Sequence, residues 1–260
     1  MEKPFRLIFS NGREAAAIRP SVPTELSVAL NQIGLQKSRP ILVVVGGASY
    51  ISEAEFLRIQ QLFIKVLAPI AEKLGAYVVD GGTDAGVMQL MGKARSQIAG
   101  TFPLIGVAPE GKVALPNQLT PAEDATPLEP HHTHFVLIPG NEWGDESPWI
   151  VRVATVLANG DPSVTVLLNG GEVTFKDAFQ SIIAGRLVIV IAGSGRTADK
   201  IADALDGKGT DQRAIELADS GLVRDINLEE GFDYLAQAIQ ELLSTPDSRM
   251  PNQDADQHVR

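Results

Sequence analysis

The sequence predicts an α/β fold of three layers, with a mainly parallel sheet of about six to seven strands between helices on both faces. Three observations carry this. Short aliphatic runs recur at 41–45 (ILVVV), 77–79 (YVV), 104–107 (LIGV), 135–138 (FVLI), 164–168 (VTVLL) and 187–191 (LVIVI). Segments with helical spacing separate most of them. Hydrophobic residues make up 44% of the chain but aromatics only 5%, the balance that strands buried on both faces require.

Taken in order, residues 5–9 read as a short strand turned at Asn11 and Gly12, and 23–35 as a helix; with their surroundings they form an N-terminal extension, 1–38, packed on a core of 39–245. After the first aliphatic run, Ser52 is an N-cap and Glu55, three residues on, completes a capping box. Phe56, Ile59, Phe63, Val66, Ile70 and Leu74 then keep helical spacing. Pro69 interrupts that pattern and predicts a kink or break, and Gly75 a stop. A helix over 85–98 follows the second run. Residues 109–130 hold five prolines and read as an irregular excursion. Ser147 and Pro148 resemble an N-cap and its following proline, opening a helix to about 157. Later helices are read at 175–183, 197–205, 211–220 and 228–243. Residues 246–260 are polar and aperiodic and read as a mobile tail.

The net charge of −10, with no cluster of Lys and Arg, argues against nucleic acid and an anionic membrane surface as partners. A small phosphorylated ligand remains compatible, because a few backbone N–H groups and an arginine hold it locally. Absence of cysteine excludes disulfides, thiolate metal sites and thiol catalysis. No signal peptide is visible at the start, and no apolar run approaches the roughly 18 residues of a membrane span. The expected location is the cytoplasm.

Four strand ends are glycine-rich: Gly46 and Gly47; Gly81 and Gly82; Gly170 and Gly171; Gly193, Ser194 and Gly195. Glycine lets another group approach the backbone closely, and a helix that starts just beyond presents unpaired N–H groups and a partial positive charge. In parallel sheets ligands bind at this edge. None of the loops fits GxGxxG or the P-loop pattern. Thr83 and Asp84 follow the second pair; Thr83 either meets a phosphate or caps the next helix. Arg196 either meets a phosphate or pairs with Asp199. His132 and His134 would share a strand face, but without an evident third ligand a metal site is not expected, and His134 reads as structural. Trp143 lies on an acidic loop from which it can stack on a base, while Trp149 reads as core.

Four ordered segments, 81–88 (GGTDAGVM), 104–109 (LIGVAP), 128–137 (LEPHHTHFVL) and 190–199 (VIAGSGRTAD), resemble the N-terminal cytosolic homology region of TRPM cation channels and its free-standing prokaryotic relatives. These belong to the SLOG superfamily of Rossmann-like domains. The resemblance spans roughly 40–205. It implies a Rossmann-like fold and a soluble binding or sensor protein, whose ligand is of the ADP-ribose or NAD-derived type. It points to Gly46, Gly47, Gly81, Gly82, Thr83, Asp84, Gly86, Val87, Trp143, Gly170, Gly171, Thr174, Gly193, Ser194, Gly195 and Arg196 as ligand-binding. Superfamily relatives often dimerise, so a homo-oligomer is also implied. Residues 169–177 further resemble the PGGxGTxxE motif of LOG-type phosphoribohydrolases, with Asn169 for proline, Val173 for glycine and Asp177 for glutamate. The alternatives are thus a nucleotide N-glycosidase using Asp177 and a carrier of a phosphate-bearing cofactor.

Overall fold

A computed structural model describes residues 2–116 and 124–244. Strands β1 (Phe5–Ile8) and β2 (Glu14–Ile18) form an antiparallel pair at the sheet edge. Helix α1 (Leu26–Gln32) leads to β3 (Ile41–Gly46), α2 (Glu53–Leu62), α3 (Ala68–Leu74), β4 (Tyr77–Asp80), α4 (Gly86–Gln97) and β5 (Leu104–Pro109). A two-stranded ribbon, β6 (Val113–Ala114) with β7 (Thr126–Pro127), lies within the proline-rich excursion. Then come β8 (His134–Ile138), α5 (Ser147–Ala158), β9 (Ser163–Leu168), α6 (Glu172–Ile183) and β10 (Leu187–Ala192). Helices α7 (Arg196–Leu205) and α8 (Gln212–Asp219), strand β11 (Val223–Asn227) and helix α9 (Phe232–Ser244) complete the described chain. The tail read at 246–260 lies outside the described residues.

The main sheet has nine strands in the order β1-β2-β8-β5-β4-β3-β9-β10-β11, and only the β1–β2 pair is antiparallel. The strand count therefore exceeds the six to seven expected. The two missed members of the parallel sheet are explained by their sequences. Strand β2 is EAAAI, whose alanines carry no strand preference; pairing with β8 decides its conformation. Strand β11 is VRDIN, an edge strand too polar to register as an aliphatic run. Both faces of the sheet are covered. Helices α1, α5, α6, α7 and α8 pack on one face, and α2, α3, α4 and α9 on the other.

The capping box forms as read: Ser52 Oγ accepts from Glu55 N at 3.3 Å, and Glu55 Oε2 accepts from Ser52 N at 2.7 Å. The break expected at Pro69 appears as a π-turn over Phe63–Leu67 between α2 and α3. Proline lacks an N–H and its ring crowds the carbonyl four residues back. The wider turn, in which Ala68 N donates to Phe63 O, relieves that conflict without ending the helix. Gly75, at φ +59°, caps it. The helix read as continuous from 228 instead begins at Phe232, because Gly231 at φ +91° interrupts it after a short 3-10 turn. Among the described residues no helix is long and apolar enough to cross a membrane.

Candidate functional site

The chain builds the sheet outward from β3 in one direction through β4 and β5 to β8, then returns to the other side of β3 to lay down β9, β10 and β11. The order reverses between β3 and β9, and crossovers leaving opposite faces at such a point open a crevice beyond the carboxyl ends of the strands. A cavity of about 290 Å³ lies there, near the lower end of the range for small-molecule sites.

Its floor is the end of β3. A Cβ on Gly46 would lie 1.8 Å from the Leu168 carbonyl oxygen of β9, so the two strand ends touch in a way only glycine permits. Gly47 N donates to the same carbonyl at 3.1 Å. Helix α4 begins directly against this turn: a Cβ on Gly86 would meet Gly47 Cα at 3.4 Å. Gly81, Thr83, Ala85 and Met88 make one wall, Thr126 and Trp143 another, and Val173, Thr174 and Asp177 of α6 a third. At the start of α6, Thr174 Oγ1 accepts from Gly171 N at 3.1 Å and presses on Gly170, where a Cβ would come within 2.3 Å of that oxygen. The first N–H groups of α4 and α6 lack partners within their own helices, and both helix starts are at the cavity.

Among the described residues, acids and no basic side chain line the cavity. Asp177 is 7% exposed and its Oδ1 has no hydrogen-bond partner among the described residues. Burial pushes its carboxyl up to about 7; the Ser147 hydroxyl opposes this, although its Oγ meets no hydrogen-bond geometry, and the charge of Glu146 adds to it. Glu146 is raised by burial too, while one of its oxygens accepts from Gly144 N at 2.7 Å.

Of the residues singled out from sequence, Gly46, Gly81, Thr83, Trp143 and Thr174 line the cavity, while Gly47, Gly86, Gly170 and Gly171 shape its walls from behind. The remainder are placed elsewhere. Gly82 is at φ +68° and packs on Gly106, 2.7 Å from where its Cβ would be. Asp84 is exposed, accepts from Gln89 at 2.8 Å and borders a neighbouring groove. The Val87 side chain is fully buried in the core. Ser194 is consumed internally, its Oγ accepting from Asn169 N at 2.8 Å and donating to Ile191 O at 2.6 Å. Gly193 N donates to Asp199 Oδ1 at 2.8 Å, which takes that carboxylate away from Arg196. Arg196 lies outside the cavity lining, donating to Ser49 Oγ at 2.9 Å and standing beside Gly171. Trp149 packs on the core, as read.

Sequence reasoning missed two groups. Asn169 is fully buried at φ +48°; its Oδ1 accepts from Gly170 N at 2.8 Å and its Nδ2 donates to Ser194 O at 2.9 Å. It ties the β9 and β10 loops together, and asparagine tolerates the left-handed conformation that this requires. The second group lies under the Gly81 loop. His132 is sandwiched between Asp80 and Glu129, with Nε2 2.8 Å from Asp80 Oδ1 and Nδ1 2.8 Å from Glu129 Oε2. Burial opposes charge on this ring, but the two carboxylates prevail and hold it up to about 9, so it is an imidazolium at neutrality. Asp80 Oδ1 also accepts from Gly82 N at 2.7 Å, which fixes the loop. His132 and His134 do not share a face as expected. His132 precedes β8 in a turn, whereas His134, on β8, reaches the Ile33 carbonyl at 3.2 Å, and burial lowers it to about 4.

Fold and cleft together define a doubly wound α/β domain with a cavity of small-molecule size at its switch point. The chain matches the profile of the family described as "SLOG in TRPM, prokaryote" over residues 39–236, and it belongs to that family. It is 27% identical over 204 residues to transient receptor potential cation channel subfamily M member 2 of Rattus norvegicus, an alignment covering 65% of this chain and 13% of the channel. It is 26% identical over 235 residues to the subfamily M member-like 2 channel of Nematostella vectensis, covering 74% of this chain and 15% of that one. The chain thus spans only a small part of the length of these curated relatives.

Proposed function

We propose that the protein is a binding or sensor module that takes a nucleotide derivative of the ADP-ribose or NAD type in this cleft. The observation that supports this most is the position of the cavity: it opens at the reversal of strand order, with two helix N-termini at its walls, the arrangement in which α/β sheets hold phosphorylated ligands. The family resemblance supplies the ligand class. The acids fit the same reading, since carboxyl groups at such sites accept hydrogen bonds from ribose hydroxyls. Phosphates, which the acid-lined interior repels, belong on the helix starts and toward Arg196. In a thermal-shift screen of ADP-ribose, NAD, AMP, cyclic nucleotides and ribose 5-phosphate, a true ligand at a hundredfold its Kd adds about 2.7 kcal/mol. Absence of any shift at millimolar concentrations would remove the nucleotide from the reading.

One observation favours a second reading, an N-glycosidase. Asp177 is a buried carboxyl with an unpartnered oxygen, poised near 7 by burial, as a general acid or base needs. Asp177→Asn separates the two. Because the folded carboxyl is raised from 3.8 to about 7, stability falls as pH rises through that interval, and the full cost persists above it. The amide is therefore expected to stabilise the fold at pH 8, by on the order of 1 kcal/mol. If the protein only binds, Asp177→Asn keeps the ligand intact as wild type does. If it is an enzyme, wild type releases free base from a nucleotide and the variant does not.

A further inference from the structure

The loop between β3 and α2 carries Tyr50, whose side chain is 90% exposed and whose φ is +57°. The left-handed region costs a non-glycine residue about 1 kcal/mol or more, and a ring this exposed buries little apolar surface in return. Its ring meets Arg196, whose guanidinium carbon lies 5.0 Å from the ring centroid, a cation–π arrangement. Arg196 is also left-handed, at φ +53°. Arg196 joins three strand-end loops: its guanidinium meets Ser49 and Tyr50 after β3 and lies beside Gly171 after β9, where a Cβ would be 3.1 Å from Nη2, while its backbone belongs to the turn after β10. Ile51 closes the same seam, 3.3 Å from where a Cβ on Gly195 would be. No carboxylate pairs with Arg196 among the described residues, since Asp199 is bound to Gly193 N. In a chain of net charge −10, this cation stands without an acid.

We propose that Tyr50 is a base platform at the mouth of the cleft: stacked on Arg196, it receives the planar heterocycle of an aromatic nucleotide on its open face, while free guanidinium N–H groups hold the adjoining phosphate. The inference rests on the nucleotide reading of the cleft and adds the residue that selects for a base. A tyrosine ring with one face on a cation and the rest in solvent has a free surface for stacking, and stacking accepts any base because every base has a π-face. The charge distribution sets the direction of the ligand. Among the described residues the interior carries Glu146 and Asp177 and no basic side chain, so it takes the hydroxyl-bearing end. The anionic end, with the base beyond it, is left at the rim beside Arg196.

The test is calorimetric titration of ADP-ribose and of ribose 5-phosphate, which lacks a base, into wild type, Tyr50→Ala and Tyr50→Phe. Tyr50→Ala is expected to weaken ADP-ribose about tenfold, the scale of one aromatic–base stack. Tyr50→Phe keeps wild-type affinity, ribose 5-phosphate is indifferent to both changes, and the unfolding midpoint of each variant is not lowered. Undiminished ADP-ribose affinity in Tyr50→Ala overturns the platform while leaving the nucleotide reading intact. An equal loss for ribose 5-phosphate overturns it as well, since the loop and not the stack would then be responsible. A wild-type protein that takes neither ligand removes the nucleotide reading and the platform with it.

Discussion

Replacing His132 by leucine is expected to destabilise the fold by about 3–5 kcal/mol, the scale of breaking a buried ion pair from one side. Asp80 and Glu129 are each 1% exposed or less; His132 is the ring that bridges them, although His131 also meets Glu129. Leucine would leave two carboxylates in the core, with the Gly81–Gly82 turn hanging on one of them. Urea unfolding at pH 7 measures the loss. The same residue makes a pH signature. The folded imidazole is raised from 6.5 to about 9, so its stabilisation is complete below about 6.5 and is lost as pH rises through about 9. In that interval the native state holds a proton that the unfolded chain has released. Stability should therefore fall by roughly 1.4 kcal/mol per pH unit between about 7 and 9. Asp177 and His134 add little to this slope, because Asp177 is raised only to about 7 and His134 is lowered to about 4. The slope should vanish in His132→Leu. A wild-type protein whose stability is flat over this interval would show that the imidazole is neutral in the core.

Gly46→Ala is expected to cost about 2–4 kcal/mol and to abolish ligand binding. The added methyl would lie 1.8 Å from the Leu168 carbonyl oxygen, at φ +131°. The obstacle is backbone, so no side-chain rotation relieves it, and β3 must part from β9 at the floor of the cleft. Gly75→Ala is the control: its φ of +59° is unfavourable, but nothing lies within 4 Å of the new methyl. It should cost about 1 kcal/mol, the left-handed penalty alone, and leave binding unchanged. Equal losses in the two variants, read by urea unfolding, would mean that contact between the strand ends contributes nothing.

The six aliphatic runs were legible because a strand buried on both faces has no choice but to be apolar along its length. The capping box and the glycine stop at Gly75 were legible because their hydrogen bonds are local. What escaped depends on partners distant in sequence. Strand β2 acquires its conformation from β8, about 120 residues later, through register alone. The His132 network joins residues 52 apart, and nothing near EPHHTH marks the ring that will meet Asp80. Glycine itself is ambiguous: Gly46 and Gly82 look alike in the sequence, yet Gly46 lines the cavity and Gly82 packs against Gly106. The order of the strands, and hence the crevice between β3 and β9, is a property of the crossovers and is not written in any one segment.

The most direct test of the central claim is amide hydrogen exchange with and without saturating ADP-ribose. If the cleft at the switch point is the binding site, protection should rise in the four loops that meet there, at 46–51, 81–88, 170–176 and 193–197, and remain unchanged in α9, which contributes no residue to the cavity lining. Protection confined to other segments, or none at a concentration where the ligand stabilises the protein, would contradict it.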